Sequence, residues 1–146
     1  MKLTFEPMTD ADFAEMAEWR YEPPYDFYDG DVDPVLNPER FFAARDEHGA
    51  LVGHLYFEQK GDRLEYGLGL RPDLVGRGLG EEFFRAGLEF GRDLYKPGIV
   101  QLSVAKFNDR ARIVYERCGF RVTGEHERTF ERFGVVPFLE MEEVVP

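Results

Sequence analysis

The stretch PDLVGRGLGEEFF, residues 72–84, places three glycines within five residues directly before an amphipathic segment. Glycine weakens a helix, so a helix start that contains three of them needs a reason. Without Cβ atoms at Gly76, Gly78 and Gly80, a ligand can approach the backbone closely. The N–H groups and the dipole of a following helix would attract an anion. The stretch therefore predicts a phosphate or pyrophosphate site, and a flexible turn is the alternative.

Two common phosphate-binding motifs do not fit this stretch. A P-loop requires Gly-x-x-x-x-Gly-Lys-Ser/Thr, and the chain contains no Lys-Ser or Lys-Thr pair. The dinucleotide fingerprint Gly-x-Gly-x-x-Gly, counted from Gly76 and Gly78, places Glu81 at its third glycine. Neither nucleotide-binding class is therefore indicated.

The composition is typical of one globular domain over residues 1–146, with 43% hydrophobic and 15% aromatic residues. No apolar run reaches the roughly 20 residues of a membrane-spanning helix, and the N-terminal segment lacks the apolar stretch of a signal peptide. The single cysteine, Cys118, excludes an internal disulfide. We therefore expect a cytoplasmic protein that does not bind membranes.

The net charge of −11 is unevenly distributed along the chain. Residues 71–121 contain ten Lys/Arg and seven Asp/Glu, which gives +3 for this block and leaves −14 for the remainder. A local anion site explains the basic block, and scattered surface charge is the alternative. The acidic remainder predicts that the protein does not bind nucleic acid.

The apolar periodicity and the turn residues predict the element order β-α-loop-β-β-β-α-β-α-β-β. The expected elements are a strand over 2–7, a helix over 10–19 capped by Thr9, three strands within 40–72, a helix over about 79–95, a strand over 99–107, a helix capped by Asn108 and ended by Gly119, and strands over about 120–130 and 134–144. This order predicts an α+β fold, with a mixed, mainly antiparallel central sheet flanked by helices.

A second motif, NDRARIVYERCGF, begins about 25 residues after the glycine stretch. With GLGLRPDLVGRGLGEEFF it resembles the GNAT family of N-acetyltransferases. That family has an Arg/Gln-x-x-Gly-x-Gly/Ala loop between a bulged strand and a helix, and a later Asn-x-x-Ala-x-x-x-Tyr-x-x-x-Gly-Phe pattern. Asn108, Ala111, Tyr115, Gly119 and Phe120 match the second pattern position for position.

The resemblance implies the acyl-CoA N-acyltransferase (GNAT) fold and acetyl-CoA as cosubstrate. The residues that it implies for binding are Val75, Gly76, Arg77, Gly78, Leu79 and Gly80 for the pyrophosphate, and Leu68, Gly69, Leu70 and Asn108 for the pantetheine arm. A bulge at Gly67 and Gly69 would aim a backbone N–H at the thioester oxygen, and close backbone approach is the other role of such glycines.

Val75 departs from the family pattern, which has Arg or Gln at this position. Its backbone N–H can still contact a pyrophosphate. We expect Arg77 or Arg112 to replace the missing side chain.

By the same resemblance, Tyr115 is the general acid that protonates the departing thiolate. A tyrosine hydroxyl with a reference pKa of about 10 can donate to a thiolate whose thiol pKa is about 8.5. Packing in the core is the alternative role of Tyr115. The general base stays open: Glu65 is the first candidate, and Asp26, Glu22 and His54 compete, although His54 also fits a hydrogen-bonded sheet residue.

The remaining histidines and the cysteine predict no further chemistry. His48 lies in a predicted turn, and His126 has no His or Cys at ligand spacing, so we expect no metal. Cys118 has no adjacent histidine and lies at a helix C-terminus, where the dipole opposes a thiolate. We expect it to pack in the core.

A loop rich in tyrosines and acids, residues 21–33, is expected to shape the acceptor pocket through Tyr25, Asp26 and Tyr28. Carboxylates and aromatic faces suit a cationic amine, either a small molecule or a peptide N-terminus. The resulting function is direct acetyl transfer from acetyl-CoA to a primary amine by a monomer or homodimer. The alternatives are a non-catalytic acyl-CoA-binding sensor on the same fold and an interaction module whose glycine turn is empty.

Overall fold

The computed structural model describes residues 2–28 and 37–145, without the side chains of Phe27 and Tyr28. These ranges form strands β1 Thr4–Pro7, β2 Phe41–Arg45, β3 Leu51–Lys60, β4 Arg63–Leu70, β5 Ile99–Ala105, β6 Arg121–Phe130 and β7 Gly134–Val144, and helices α1 Asp10–Ala17, α2 Gly80–Tyr95 and α3 Asp109–Arg117. The predicted element order and the mixed α+β sheet are confirmed. None of the helices within the described ranges has the length and apolarity needed to span a membrane.

The seven strands form one sheet in the order β1-β2-β3-β4-β5-β7-β6. The β4–β5 pair is parallel, and the other neighbouring strands are antiparallel. On its β3 side, β4 is paired along its whole length, but its pairing with β5 covers only Arg63, Leu64 and Glu65. The two strands therefore separate after Glu65 and leave an opening in the sheet, which we call the β4–β5 cleft.

The predicted bulge in β4 is wrong. β3 and β4 pair one to one from Gly53 and Leu70 to Lys60 and Arg63, without a register shift. At Gly69 the side chain of His54 fills the space of a Cβ atom, which would lie 2.9 Å from Nδ1 of His54. The departure of β5, and not a bulge, is what frees the edge of β4.

Side chains of β4 alternate between the two faces of the sheet. Leu64 and Tyr66 point to the face that α2 and α3 cover, which we call the α2 face. Glu65, Gly67 and Gly69 belong to the opposite face, the α1 face, where α1 packs over β2 and β3. Further polar side chains on the α1 face are those of Gln101, Ser103, Glu140 and Glu142.

Helix α2 packs closely on the sheet because it carries glycine where it crosses β3 and β4. A Cβ atom at Gly87 would lie 2.7 Å from Cδ2 of Leu55 and would also meet the hydroxyl of Tyr66. Leu94 follows the apolar pattern of this helix in the sequence, but 53% of it is exposed. Tyr95, one position later, packs against Phe57 instead, with ring centroids 5.4 Å apart.

Replacing Gly87 by Ala is expected to lower the free energy of unfolding by about 1–3 kcal/mol. Overpacking a filled core costs more than the roughly 1 kcal/mol that alanine gains over glycine in a helix. Gly80→Ala is the control, because no atom lies within 4 Å of a Cβ placed there. Denaturant titration followed by circular dichroism measures both. A Gly87→Ala protein as stable as the control would refute the close packing of α2.

Candidate active site

The glycine stretch forms an open helix start at the end of the β4–β5 cleft. Gly76 and Gly78 have φ angles of +80° and +78°, a region that glycine adopts without strain. Leu79 is the N-cap of α2 and makes no side-chain hydrogen bond to it, and the space around Gly80 is open. The N–H groups of the first turn therefore have no side-chain cap and suit a bound anion.

The N–H of Val75, a predicted contact of this anion site, already has a partner within the chain. It donates to the carbonyl of Pro72 at 3.3 Å and closes the short 3₁₀ turn Pro72–Leu74. Val75 therefore stays a prediction, and the N–H groups from Gly76 onward are the better candidates to bind a phosphate.

A cation near the loop comes from α3. Arg112 is held on the surface of its own helix by Glu116, at 2.6 Å, and Asp109, at 3.4 Å, and Arg77 is exposed. Arg110 reaches the loop instead, with Nη1 3.7 Å from the Cβ position of Gly76. Sequence reasoning missed Arg110, although its place in the first turn after the predicted N-cap could have indicated it.

The free edge of β4 presents backbone groups to the cleft. The N–H of Arg71 donates to the carbonyl of Val52 at 2.8 Å. The backbone N–H and C=O groups of the odd-numbered residues of β4 therefore point toward β3. Leu68 and Leu70 therefore face the cleft with their amides, whereas the backbone of Gly69 faces β3. The hydroxyl of Tyr21 donates to the carbonyl of Leu70 at 2.8 Å.

Tyr115 and Asn108 lie on the side of the cleft that α3 forms. Tyr115 is half-buried on the α2 face, with its ring centroid 4.5 Å from that of Phe84. Asn108 is buried, and its Oδ1 accepts the N–H of Ala111 at 3.2 Å, which confirms it as the N-cap of α3.

Glu65 lies where the cleft begins, on the α1 face. It is the last residue of β4 that pairs with β5, and a quarter of its side chain is exposed. The Nζ of Lys60 lies 3.2 Å from its carboxylate. Glu65 is therefore placed near the cleft, but as half of an ion pair.

The segment after α1 bridges the two sides of the cleft. The ring of Tyr25, in the 3₁₀ turn Tyr25–Tyr28, lies 6.0 Å from that of Phe107 and 4.6 Å from the guanidinium of Arg110. Asp26 lies 3.4 Å from Arg132 in the β6–β7 turn. The side chain of Tyr28 and residues 29–33 of the predicted acceptor loop lie outside the described residues.

A cavity of about 470 Å³ opens beneath this segment. It extends from the segment after α1 to the glycine stretch and the start of α3. The residues that line it are Arg20, Glu22, Pro23, Tyr25, Pro72, Asp73, Val75 and Arg110. Of the candidate bases, Glu22 therefore lies near the glycine stretch and not on the α1 face.

His54 lies on the α1 face of β3, opposite Gly69. Its Nδ1 is buried and has no hydrogen-bond partner among the described residues, so the expectation of a hydrogen-bonded sheet residue is wrong. Burial lowers the pKa of His54 from 6.5 to about 4. The imidazole is therefore neutral at pH 7.

Cys118 is buried, and burial raises the pKa of its thiol, in agreement with a packing role. Within the described ranges, no three His, Cys, Asp or Glu residues lie close enough to hold a metal ion.

The mixed sheet is open between β4 and β5, a glycine-rich helix start lies beside the opening, and the next helix carries a tyrosine. Together these features define an acyltransferase fold, the class that the two motifs indicate. The Acetyltransferase (GNAT) family matches residues 6–120, and the chain belongs to this family. The predicted family and fold are confirmed.

Relatives and solved structures agree with this assignment. The mycothiol acetyltransferase of Clavibacter michiganensis subsp. michiganensis is 35% identical over 66% of this chain and 31% of that protein. That of Propionibacterium freudenreichii subsp. shermanii is 38% identical over 60% of this chain and 29% of that protein. The match therefore spans less than a third of each curated relative. A spermidine N-acetyltransferase chimera from Vibrio cholerae and hSSAT superposes with a TM-score of 0.79 at 18% identity, over 99% of this chain and 96% of that chain, which shows the shared fold.

The fold should lose stability as the pH falls from 6.5 to 4, because over this range the unfolded chain binds a proton at His54 that the folded chain does not. Protonation of this group changes the free energy of unfolding by up to about 1.4 kcal/mol per pH unit, and the change levels off below pH 4. His54→Gln should flatten the slope, whereas His48→Gln, with a side chain that is 83% exposed, should keep it. Urea titrations at several pH values measure this, and equal slopes in all three proteins would contradict it.

Proposed function

We propose that this protein is an acetyl-CoA-dependent N-acetyltransferase that transfers acetyl directly to a primary amine. The observation that carries the proposal is the β4–β5 cleft, which ends at an uncapped helix start, with Tyr115 half-buried on the α2 face of the same sheet. Family membership supplies the enzyme class, and the single buried thiol of Cys118 suits a reducing cytoplasm.

The residues around the cleft fit acetyl-CoA. The N–H groups of residues 76–80 would hold the pyrophosphate, because the left-handed glycines leave the loop without Cβ atoms. Arg110 adds a positive charge beside Gly76, while Arg77 and Arg112 remain candidates for the outer phosphate. The amides of Leu68 and Leu70 would pair with the pantetheine arm, together with the side chain of Asn108.

When bound, acetyl-CoA supplies a thioester carbonyl that an amine can attack. The chain contributes orientation and proton transfer. The N–H groups of Leu68 and Leu70 face the cleft and can donate to developing negative charge on the carbonyl oxygen. The hydroxyl of Tyr115 gives its proton to the departing sulfur from the α2 face.

The acceptor is a small cationic primary amine in this proposal. Carboxylates cluster on the α1 face of the strands around the cleft, at Glu58, Glu65, Glu140 and Glu142. Tyr25 and Asp26 lie above the cleft and can add an aromatic face and a carboxylate. The spermidine N-acetyltransferase chimera is named for such an amine. A peptide N-terminus is the second acceptor to be tested.

Gly78→Ala is expected to weaken acetyl-CoA binding tenfold or more, because alanine resists the φ of +78° that shapes the loop. Gly61→Ala is a matched control in the β3–β4 turn, with a φ of +62° and, as at Gly78, no atom within 4 Å of the new Cβ. Isothermal titration calorimetry gives both affinities. Equal affinity in both variants would place the pyrophosphate elsewhere, and no heat with the wild-type protein would refute the cosubstrate.

Tyr115→Phe should lower kcat by about 10²–10⁴-fold and leave acetyl-CoA affinity nearly unchanged, because only the proton for the departing sulfur is lost. Release of CoA thiol is followed with a panel of small cationic amines and peptide N-termini. Tyr95→Phe, at the far end of α2, is the control and should keep full activity. Tight cosubstrate binding by the wild-type protein without turnover of any amine would instead favour the sensor.

A further inference from the structure

The two faces of the sheet offer different chemistry at the cleft. Tyr115, the proposed proton donor, lies on the α2 face. An amine that attacks a group held in the cleft must also lose a proton, and a second group has to accept it. Because the α2 face is filled by α2 and α3, the acceptor of that proton is to be sought on the α1 face.

Ser103 lies beside the cleft on this face. It follows Gln101 by two residues on β5, and Gln101 is the last residue of β5 that pairs with β4. Ser103 is therefore the first side chain of β5 on the α1 face beyond the point where the strands separate. Its hydroxyl donates to Oε1 of Glu140, directly across the β5–β7 pair, at 3.1 Å.

Glu140 differs from its neighbours in its partners. Glu65 is paired with Lys60, Glu58 with Arg40 at 3.2 Å, and Glu142 with Arg63 at 2.5 Å. Glu140 instead contacts Ser103 and His126 and, within the described ranges, forms no ion pair with a Lys or Arg. A carboxylate without a cationic partner is the more available base.

His126 adjoins this carboxylate from β6. Its Nδ1 lies 2.5 Å from Oε1 of Glu140, although the ring N–H does not point along this line. Arg128 donates from Nε to Nε2 of His126 at 3.0 Å. The ring is stacked on Phe138, with centroids 5.5 Å apart. Arg128 and Phe138 thus hold His126 beside Glu140.

We propose that Ser103 and Glu140 form the route by which the acceptor amine loses its proton, an inference that rests on the proposed acetyl transfer. Ser103 Oγ takes the proton from the nitrogen while its own hydroxyl proton passes to Oε1 of Glu140. Glu65 then has the structural role of closing the cleft with Lys60.

Groups on both faces of the sheet together account for the protons and electron pairs of the reaction. The cationic amine first loses one proton through Ser103 to Glu140, and solvent removes it from the carboxylate. The nitrogen lone pair so freed forms the new N–C bond, and the C–S bonding pair leaves with sulfur. A second proton then leaves the nitrogen through Ser103 to Glu140, and one moves from the hydroxyl of Tyr115 to sulfur. Solvent then returns a proton to Tyr115 and removes one from Glu140.

The test uses the cationic amine that the wild-type protein turns over best in the panel. Glu140→Gln should lower kcat by about 100-fold or more, because it keeps the size and the hydrogen bond but cannot accept the proton. Ser103→Ala should also lower kcat, and Ser103→Thr should restore it. Since the two residues act in series, the double variant should be no slower than Glu140→Gln alone.

Glu125→Gln is the matched control, a carboxylate of the neighbouring strand β6 that pairs with Lys106 at 2.8 Å, and should keep kcat within about twofold. Calorimetry with CoA and the melting temperature should be unchanged in Glu140→Gln, which separates proton transfer from damage to the fold. Three results would overturn the inference while leaving the proposed function intact. These are a wild-type kcat in Glu140→Gln, additive losses of kcat in the double variant, or a loss in Glu65→Gln that is larger than that in Glu140→Gln. A wild-type protein that acetylates no amine would refute both.

Discussion

The separation of β4 from β5 after Glu65 is the constraint on which the site depends. A strand that ends its pairing inside a sheet leaves N–H and C=O groups that must find other partners or face water. At Leu70 the carbonyl already has a substitute partner, the hydroxyl of Tyr21. The remaining amides of the free edge form a short template for a ligand that can pair like a strand. The cleft is thus a consequence of topology, since the one parallel pair of the sheet is the pair that diverges.

The packing on the α2 face keeps this opening in place. Gly87 and Gly91 bring α2 against Leu55, Phe57 and Tyr66, so β3 and β4 are held to the helix as a unit. β5 is held from the other side by a long pairing with β7. Each half of the sheet therefore has its own contacts in place of the missing β4–β5 pairing, and the uncapped start of α2 lies at the end of the cleft.

Local sequence patterns predict most of the fold but fewer features of the candidate site. The element order, the N-cap Asn108 and the open glycine loop follow from periodicity and turn chemistry within short windows. The β4–β5 divergence does not, because it depends on which strands pair and for how long. Arg110 was not predicted as a site residue, because it lies inside a predicted helix. Ser103, His126 and Glu140 lie far apart in the sequence, and the strand order β5-β7-β6 alone brings them together.

The uneven charge along the chain corresponds to different positions around the cleft. The block 71–121, with its net +3, contains the glycine loop, α2 and α3, whereas Glu58, Glu65, Glu140 and Glu142 all lie outside it. The cleft is therefore bordered on one side by the uncapped start of α2 with Arg110, and on the α1 face by carboxylates of which Glu140 forms no ion pair with a Lys or Arg of the described residues. The first border suits an anionic ligand, and Glu140 suits a cationic one. Two ligands of opposite charge that meet in the cleft satisfy both borders, and transfer from an anionic acyl carrier to a cationic amine is a reaction with this charge pattern.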